Sequence, residues 1–136
     1  MSNKISKTEK ANQNKGQKIL IVEDDLTSAK MLEIMIEDFC EFPLFAKNGL
    51  EAVQLCKNNP NIDIVLMDIK MAELNGYEAT EQIRKFNKEI IIIAQTAYAL
   101  PGDKEKAIAA GCNDYISKPY SQIELTGLIG KYIKKK

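Results

Sequence analysis

The stretch KILIVEDD, Lys18–Asp25, decides the fold. Its apolar part, Ile19–Val22, is a short continuous run, as expected for a strand that is buried on both faces of a parallel sheet. The three carboxylates of Glu23, Asp24 and Asp25 follow this run directly. Because ligands bind at the carboxyl ends of the strands in an open parallel sheet, the acidic run predicts a binding site at that edge.

The same succession of an apolar run and a helical stripe recurs along the chain. We expect further strands over 42–46, 62–67, 90–94 and 115–117, and helices over 27–39, 49–57, 77–86, 101–110 and 121–133. Five such units with short connections predict an α/β sandwich of three layers, with a parallel sheet and right-handed crossovers. The flavodoxin-like strand order 2-1-3-4-5 is the one known for a chain of this size.

Individual residues add detail to this topology. Pro43 cannot donate a hydrogen bond to the sheet, so the second strand is predicted near an edge. The run at 90–94 is the most apolar and is predicted to lie centrally. Helix starts are predicted at residue types that cap or open helices, namely Thr27 or Ser28, Asn48, Pro101 and Ser121.

The bulk composition fits one compact domain. The 136 residues allow one well-buried core, which we assign to residues 17–136, while residues 1–16 have the polar composition of a disordered leader or linker. The chain has no apolar run of the roughly eighteen residues that a membrane span needs, and its polar first segment favours a cytoplasmic location. The three cysteines form no C-x-x-C pair and are expected to be reduced residues of the core.

The net charge of zero conceals an uneven distribution. Residues 1–18 carry a balance of +4 and residues 131–136 contain four lysines, so that residues 19–130 carry a net charge of −8. The basic ends lack interleaved aromatic residues, which favours a solvated leader over contacts with nucleic acid or a membrane. The chain contains no histidine, so a mechanism that needs one must take it from a partner protein.

Three single residues lie at or beside the ends of later strands: Asp68, Thr96 and Lys118. Carboxylates at neighbouring strand ends repel one another, by roughly 4 kcal/mol for two unit charges about 4 Å apart at an effective dielectric of about 20. A divalent cation relieves this repulsion, and a site made only of oxygen ligands favours Mg²⁺. Asp68 is suited to attack a phosphoryl group, with Lys118 and Thr96 available to its oxygens.

Each of these residues also has a structural interpretation. The acidic run could cap the following helix, Thr96 could bond to the backbone, and Lys118 could be a solvated surface lysine. One cap needs only one carboxylate, and the coincidence of all the sites at successive strand ends favours the functional interpretation. Pro119, directly after Lys118, also permits a cis peptide bond.

The chain resembles the receiver domains of bacterial response regulators, which include the single-domain chemotaxis regulator and the receivers of hybrid sensor kinases. The resemblance covers about residues 18–134 and rests on five pieces in order: KILIVEDD, IVLMDIKM, NGYEA, IIAQTA and AGCNDYISKP. It implies a phosphoacceptor in a two-component phosphorelay, with a histidine kinase or a His-containing phosphotransfer protein as partner. It further implies a signalling domain rather than an enzyme, limited to self-catalysed phosphotransfer and autodephosphorylation.

The resemblance also implies a role for each site residue. Asp68 is the phosphoacceptor and Lys118 pairs with the phosphate. Thr96 and Tyr115 form the switch that changes a protein-binding face. The implied ligands of Mg²⁺ are Glu23, Asp24, Asp68 and the backbone carbonyl of Lys70.

Some positions depart from the common pattern of this family. Met71-Ala72 stands where Met-Pro is usual, and Gln95 stands before Thr96 where an apolar residue is more usual. Lys70 lies two residues beyond the implied phosphoacceptor, and Tyr98 two beyond the implied switch threonine. Both side chains are expected to crowd an attacking water, which predicts slow self-dephosphorylation.

Three other functions are alternatives. A Mg²⁺-dependent phosphatase of the haloacid dehalogenase type would need a D-x-D motif, but Lys70 stands at the second Asp position. An adaptor with a vestigial site would lack a site residue, and none is missing. A flavin or dinucleotide module is disfavoured because no glycine-rich phosphate loop follows the first strand. The sequence leaves open whether the domain stands alone or belongs to a hybrid sensor kinase.

Overall fold

The computed structural model describes residues 16–70, 74–97 and 100–133, and its elements alternate between strand and helix. The strands are β1 (Ile19–Val22), β2 (Leu44–Ala46), β3 (Ile64–Asp68), β4 (Ile91–Thr96) and β5 (Asp114–Ser117). The helices are α1 (Leu26–Met35), α2 (Gly49–Asn58), α3 (Gly76–Arg84), α4 (Asp103–Ala110) and α5 (Gln122–Gly130). Each predicted element is therefore present, although several ends are shifted by a few residues.

The five strands form one parallel sheet in the predicted order, β2-β1-β3-β4-β5. β2 lies at an edge, as expected from Pro43 just before it. β4 is an interior strand with a neighbour on each side, as predicted, and β3 is the middle strand of the sheet. Because all strands are parallel, their carboxyl ends lie along one edge of the sheet.

Alternate residues of each strand face two separate apolar layers. On β1, Leu20 and Val22 pack with residues of α2, α3 and α4, whereas Ile19 and Ile21 pack with residues of α1 and α5. All four side chains are completely buried. Burial of an aliphatic side chain contributes about 1.5–3 kcal/mol, so these strands hold the sheet firmly between two layers of helices.

The start of α1 differs from the prediction in a way that affects the site. Its cap is Asp25, whose carboxylate accepts hydrogen bonds of 2.8 Å from both the backbone N–H and the hydroxyl of Ser28. The prediction of Thr27 or Ser28 as the cap is therefore wrong. The predicted caps Asn48 and Ser121 are confirmed by hydrogen bonds from the backbone three residues ahead.

Two further differences concern the helices. α4 begins at Asp103 rather than at Pro101, because Gly102 before it adopts a left-handed φ of 88°. Leu50 and Ile123, apolar residues within the helices predicted over 49–57 and 121–133, are 50% and 82% exposed. In α2 the inner face is made partly by small residues, which a search for large apolar side chains overlooks.

Residues 1–15 of the predicted leader lie outside the described residues. Gly16, the last residue assigned to that leader, forms an antiparallel bridge with Cys40. The cysteines are free and buried, as predicted: Cys40, Cys56 and Cys112. Among the described helices, none combines the length and the apolar character that crossing a membrane requires.

Candidate functional site

The residues predicted to form a site come together at the carboxyl edge of the sheet. Glu23 and Asp24 follow β1 directly, and Asp68 is the last residue of the adjacent strand β3. Thr96 ends β4, and Lys118 follows β5. These four strands are consecutive in the sheet, so residues separated by up to 95 positions along the chain become neighbours in space.

An acidic cluster lies at the centre of this edge. Glu23, Asp24 and Asp68 each offer a carboxylate oxygen, and these oxygens lie within 4.8 Å of one another. Glu23 and Asp68 are buried, whereas Asp24 is exposed. Asp25, the third carboxylate of the acidic run, is used by the α1 cap and is outside this cluster. The structural interpretation of the run therefore holds for Asp25 alone.

Lys118 brings an ammonium group to the cluster. Its Nζ lies 3.1 Å from Oε1 of Glu23, an ion pair that the sequence did not reveal. Its backbone N–H donates a 2.7 Å hydrogen bond to the carbonyl of Thr96, which is itself 3% exposed. The Lys118–Pro119 peptide bond is cis, as the sequence permits. The last residue of β4 thus anchors the segment that carries the lysine.

The surroundings of Asp68 disfavour its negative charge. Burial is the main cause and the charge of Glu23 is the second, and together they raise the pKa of Asp68 to about 7. The ammonium of Lys118 and a 3.2 Å hydrogen bond from the backbone N–H of Lys70 act in the opposite direction. Burial therefore contributes more to the raised pKa of Asp68 than the neighbouring charge does.

This donor set fits a magnesium ion. Carboxylate oxygens are hard ligands, and the described residues place neither thiol nor imidazole in the cluster. The ammonium of Lys118 offsets only part of the charge of the three carboxylates, and the remaining negative charge favours the uptake of a cation. The geometry thus supports a metal-binding acidic cluster formed by Glu23, Asp24 and Asp68.

Tyr115, the predicted switch aromatic, lies on β5 and packs against the core layer that contains α2, α3 and α4. Its hydroxyl is buried and has no hydrogen-bond partner in the described part of the chain. Met71-Ala72 and Tyr98 lie outside the described residues. Lys70 is exposed in the loop after β3.

Two features of the site were not predicted from the sequence. The hydroxyl of Tyr120 donates a 2.6 Å hydrogen bond to Oε1 of Gln95, which is 2% exposed. Gly76 approaches β3 so closely that an added Cβ would lie 2.5 Å from the carbonyl oxygen of Asp68. The polar Gln95 in an apolar strand was a signal for the first feature, but its partner is decided by tertiary packing.

Comparison with known proteins agrees with this fold and this site. The sequence model of the response regulator receiver domain matches residues 19–130. A relative, hybrid signal transduction histidine kinase G of Dictyostelium discoideum, is 43% identical over 85% of this chain. The polar-differentiation response regulator DivK of Brucella anthropi is 35% identical over 85% of this chain and 94% of its own length. The chain belongs to the response regulator receiver domain family.

Similar solved structures are receiver domains as well. The receiver of sensor histidine kinase PA1611 of Pseudomonas aeruginosa, with magnesium coordinated in its active-site cleft, is 34% identical with a TM-score of 0.75. The aligned part covers 86% of this chain and 97% of that receiver. The Saccharomyces cerevisiae complex of the histidine phosphotransfer protein Ypd1 with the Ssk1 receiver gives 33% identity and a TM-score of 0.78, covering 85% of this chain and 88% of that one.

The match to hybrid kinases is confined to a small part of those proteins. The chain spans 4% and 7% of the Dictyostelium hybrid kinases G and B, and 12% of the kinase BarA of Shigella flexneri. The family model and the similar solved structures confirm the family and the fold predicted from the sequence.

Proposed function

We propose that this chain accepts a phosphoryl group on Asp68 as a receiver in a two-component phosphorelay. One observation carries the proposal. At the carboxyl edge of the sheet, the buried Asp68 lies beside the carboxylates of Glu23 and Asp24 and near the ammonium of Lys118. The family match supports the same function. We propose residues 17–136 as the receiver unit and residues 1–16 as a leader or linker, which extends the family match of 19–130 at both ends.

We assign Mg²⁺ as the cofactor of the acidic cluster. Its proposed ligands are Glu23, Asp24, Asp68 and the backbone carbonyl of Lys70. When bound, Mg²⁺ would supply positive charge to the phosphoryl oxygens and help to orient them. Support comes from the three carboxylate oxygens within 4.8 Å of one another and from the magnesium in the cleft of the similar PA1611 receiver.

In the proposed reaction, a carboxylate oxygen of Asp68 attacks the phosphorus of a phosphohistidine. A P–O bond forms, the P–N bond breaks, and the leaving imidazole keeps the electron pair and takes up a proton. Lys118 would offset charge on one phosphoryl oxygen, and the hydroxyl of Thr96 would donate to another. Attack of water on the acyl phosphate later returns Asp68 and free phosphate. The chain is thus a signalling phosphoacceptor whose own chemistry is limited to these two steps.

The phosphohistidine lies outside these 136 residues, because they contain no histidine. Histidine kinases are among its relatives, and the similar Ssk1 receiver forms a complex with a histidine phosphotransfer protein. A groove of about 240 Å³ runs beside Glu23 and Lys118 and is lined by apolar side chains that include Met31 and Met35 of α1.

We propose a cytoplasmic location, which suits three buried free thiols.

We propose Thr96 and Tyr115 as the switch. Phosphorylation adds a charge of about −2 near neutral pH, which would draw the hydroxyl of Thr96 towards Asp68. The buried hydroxyl of Tyr115 has no partner in the described residues, and such a group is unfavourable by about 1–3 kcal/mol. This conformation of Tyr115 is therefore easily exchanged for another. The surface of β4, α4 and β5 would change with it, and partner proteins would bind that surface.

The test is phosphorylation by a small donor. The chain is incubated with acetyl phosphate and Mg²⁺, and its intact mass is measured. We expect a gain of one phosphate that is lost in Asp68→Asn and in the presence of a chelator. Asp38→Asn, which changes an exposed carboxylate in the turn after α1, is the matched control and should retain the gain. A wild-type chain that takes up no phosphate, or an Asp68→Asn variant that takes it up, would contradict the proposal.

The lifetime of the acyl phosphate gives a second test. We expect slow self-dephosphorylation, because Lys70 and Tyr98 would crowd the path of an attacking water. The measurement is the decay of the phosphorylated mass after the donor is removed. A half-life of seconds in the isolated chain would contradict this expectation.

A further inference from the structure

A hydrogen bond between Tyr120 and Gln95 lies directly behind the candidate site. The Tyr120 hydroxyl donates to Oε1 of Gln95 at 2.6 Å. Gln95 is the register partner of Asp68, and its carbonyl accepts a 3.0 Å hydrogen bond from the N–H of Ile69. The backbone of Gln95 is therefore fixed to the strand that ends in Asp68.

The direction of the Gln95 side chain follows from its position in β4. Ile91 and Ile93 of this strand pack in the layer that contains α1 and α5. Because side chains alternate along a strand, Gln95 points to the same layer. Tyr120 packs against that layer too, which brings its hydroxyl to the amide.

Gln95 and Thr96, two consecutive residues of β4, thus form hydrogen bonds with the segment 118–120 that carries Lys118. On one side, the backbone N–H of Lys118 donates to the carbonyl of Thr96 at 2.7 Å. On the other side, two residues further on, Tyr120 is tied to Gln95. The ammonium of Lys118, between these anchors, reaches Glu23 at 3.1 Å.

Stability alone gives a poor account of this pair. Nε2 of Gln95 is buried and has no hydrogen-bond partner in the described part of the chain. An unpartnered buried donor is unfavourable, so an apolar residue of similar size at this position would avoid that penalty. Burial and the charges of Glu23 and Asp68 raise the pKa of Tyr120, which keeps its hydroxyl protonated and able to donate.

We propose that Gln95 and Tyr120 are positioning residues for Lys118, and that their hydrogen bond keeps the lysine directed at the Asp68 pocket. This inference rests on the proposed phosphoacceptor function. Neither residue is proposed to touch the phosphoryl group. Their effect on phosphorylation passes entirely through Lys118.

The experiment is a double-mutant cycle on the rate of phosphorylation by acetyl phosphate with Mg²⁺. Tyr120→Phe removes only the hydroxyl and should slow phosphorylation about fivefold, the rate equivalent of one ordinary hydrogen bond. Lys118→Ala should be slower still, and adding Tyr120→Phe to it should have no further effect. Gln95→Met removes the acceptor of the same hydrogen bond, so it should slow phosphorylation as much as Tyr120→Phe does.

Tyr132→Phe is the matched control. The Tyr132 hydroxyl also donates hydrogen bonds, one of 2.8 Å to the carboxylate of Asp114 and one of 3.2 Å to the carbonyl of Asn113. Its ring lines a cavity of about 390 Å³ at the opposite edge of the sheet, together with Asp63 and Ile90. Its loss should lower stability and leave the phosphorylation rate unchanged.

A second readout does not depend on phosphorylation. Hydrogen exchange of the Lys118 amide, which donates to Thr96, should be faster in Tyr120→Phe and unchanged in Tyr132→Phe. A phosphorylation rate that is unchanged in Tyr120→Phe would overturn the positioning role. A fivefold slowing of phosphorylation by Tyr120→Phe in the Lys118→Ala background would overturn it as well. A wild-type chain that takes up no phosphate would overturn the proposed function, and the positioning role with it.

Discussion

Replacement of Asp68 by Asn should stabilise the fold, increasingly so as the pH rises. The pKa of Asp68 is raised from its ordinary value of 3.8 to about 7. Between these two values the folded chain holds a proton that the unfolded chain releases, so the free energy of unfolding falls with rising pH. An asparagine carries no charge at any pH, and this loss should be absent from the variant.

The size of the effect follows from the pKa difference. A shift of about three units corresponds to about 4 kcal/mol when Asp68 is fully ionised. Only the part of the titration between about pH 5 and pH 8 is accessible to a clean comparison, and Lys118 and Glu23 can adjust around the charge. We therefore expect the advantage of Asp68→Asn over wild type to grow by about 1–3 kcal/mol across that range.

The assay is urea unfolding of both proteins at several pH values, in the presence of a chelator. Asp38→Asn serves as the control, because it makes the same chemical change at an exposed position away from the acidic cluster. Added Mg²⁺ should stabilise wild type at pH 8 and leave Asp68→Asn much less affected, since a bound cation removes the repulsion among the carboxylates. An advantage of Asp68→Asn that stays constant or shrinks as the pH rises would refute the reasoning.

Four other substitutions test packing and capping contacts of the fold. Gly76→Ala would place a Cβ 2.5 Å from the carbonyl oxygen of Asp68 and should lower the free energy of unfolding by about 2 kcal/mol or more. Gly127→Ala is the control, because Gly127 lies in open space on α5, and it should raise the free energy of unfolding by about 0.5–1 kcal/mol. Arg84→Met should cost about 2–4 kcal/mol without slowing phosphorylation, because the guanidinium bonds three backbone carbonyls and a side chain at the opposite edge of the sheet. Asn75→Ala should cost about 1 kcal/mol through loss of the α3 capping box. Urea unfolding measures all of these changes, and equal effects of the two glycine substitutions would contradict the close approach of α3 to β3.

Much of the fold was accessible from the sequence because it depends on local pattern. Short apolar runs such as Ile19–Val22 cannot be accommodated except between two layers, and the caps Asn48 and Ser121 satisfy backbone groups within their own helices. The exposure of Leu50 and Ile123 does not follow from the sequence, because an apolar stripe does not say how a helix is rotated against the sheet. That rotation is chosen by packing against residues distant in the chain.

The candidate site divides in the same way. The sequence by itself determined that Asp68, Thr96 and Lys118 stand at strand ends, and parallel strands then bring them to one edge. Only the tertiary structure decided that Asp25 leaves the acidic cluster to cap α1, that Lys118 pairs with Glu23, and that Tyr120 reaches Gln95. The physical reason is that strand position is a local property of the chain, whereas the partner of a long polar side chain depends on which distant groups burial leaves within about 3 Å of it.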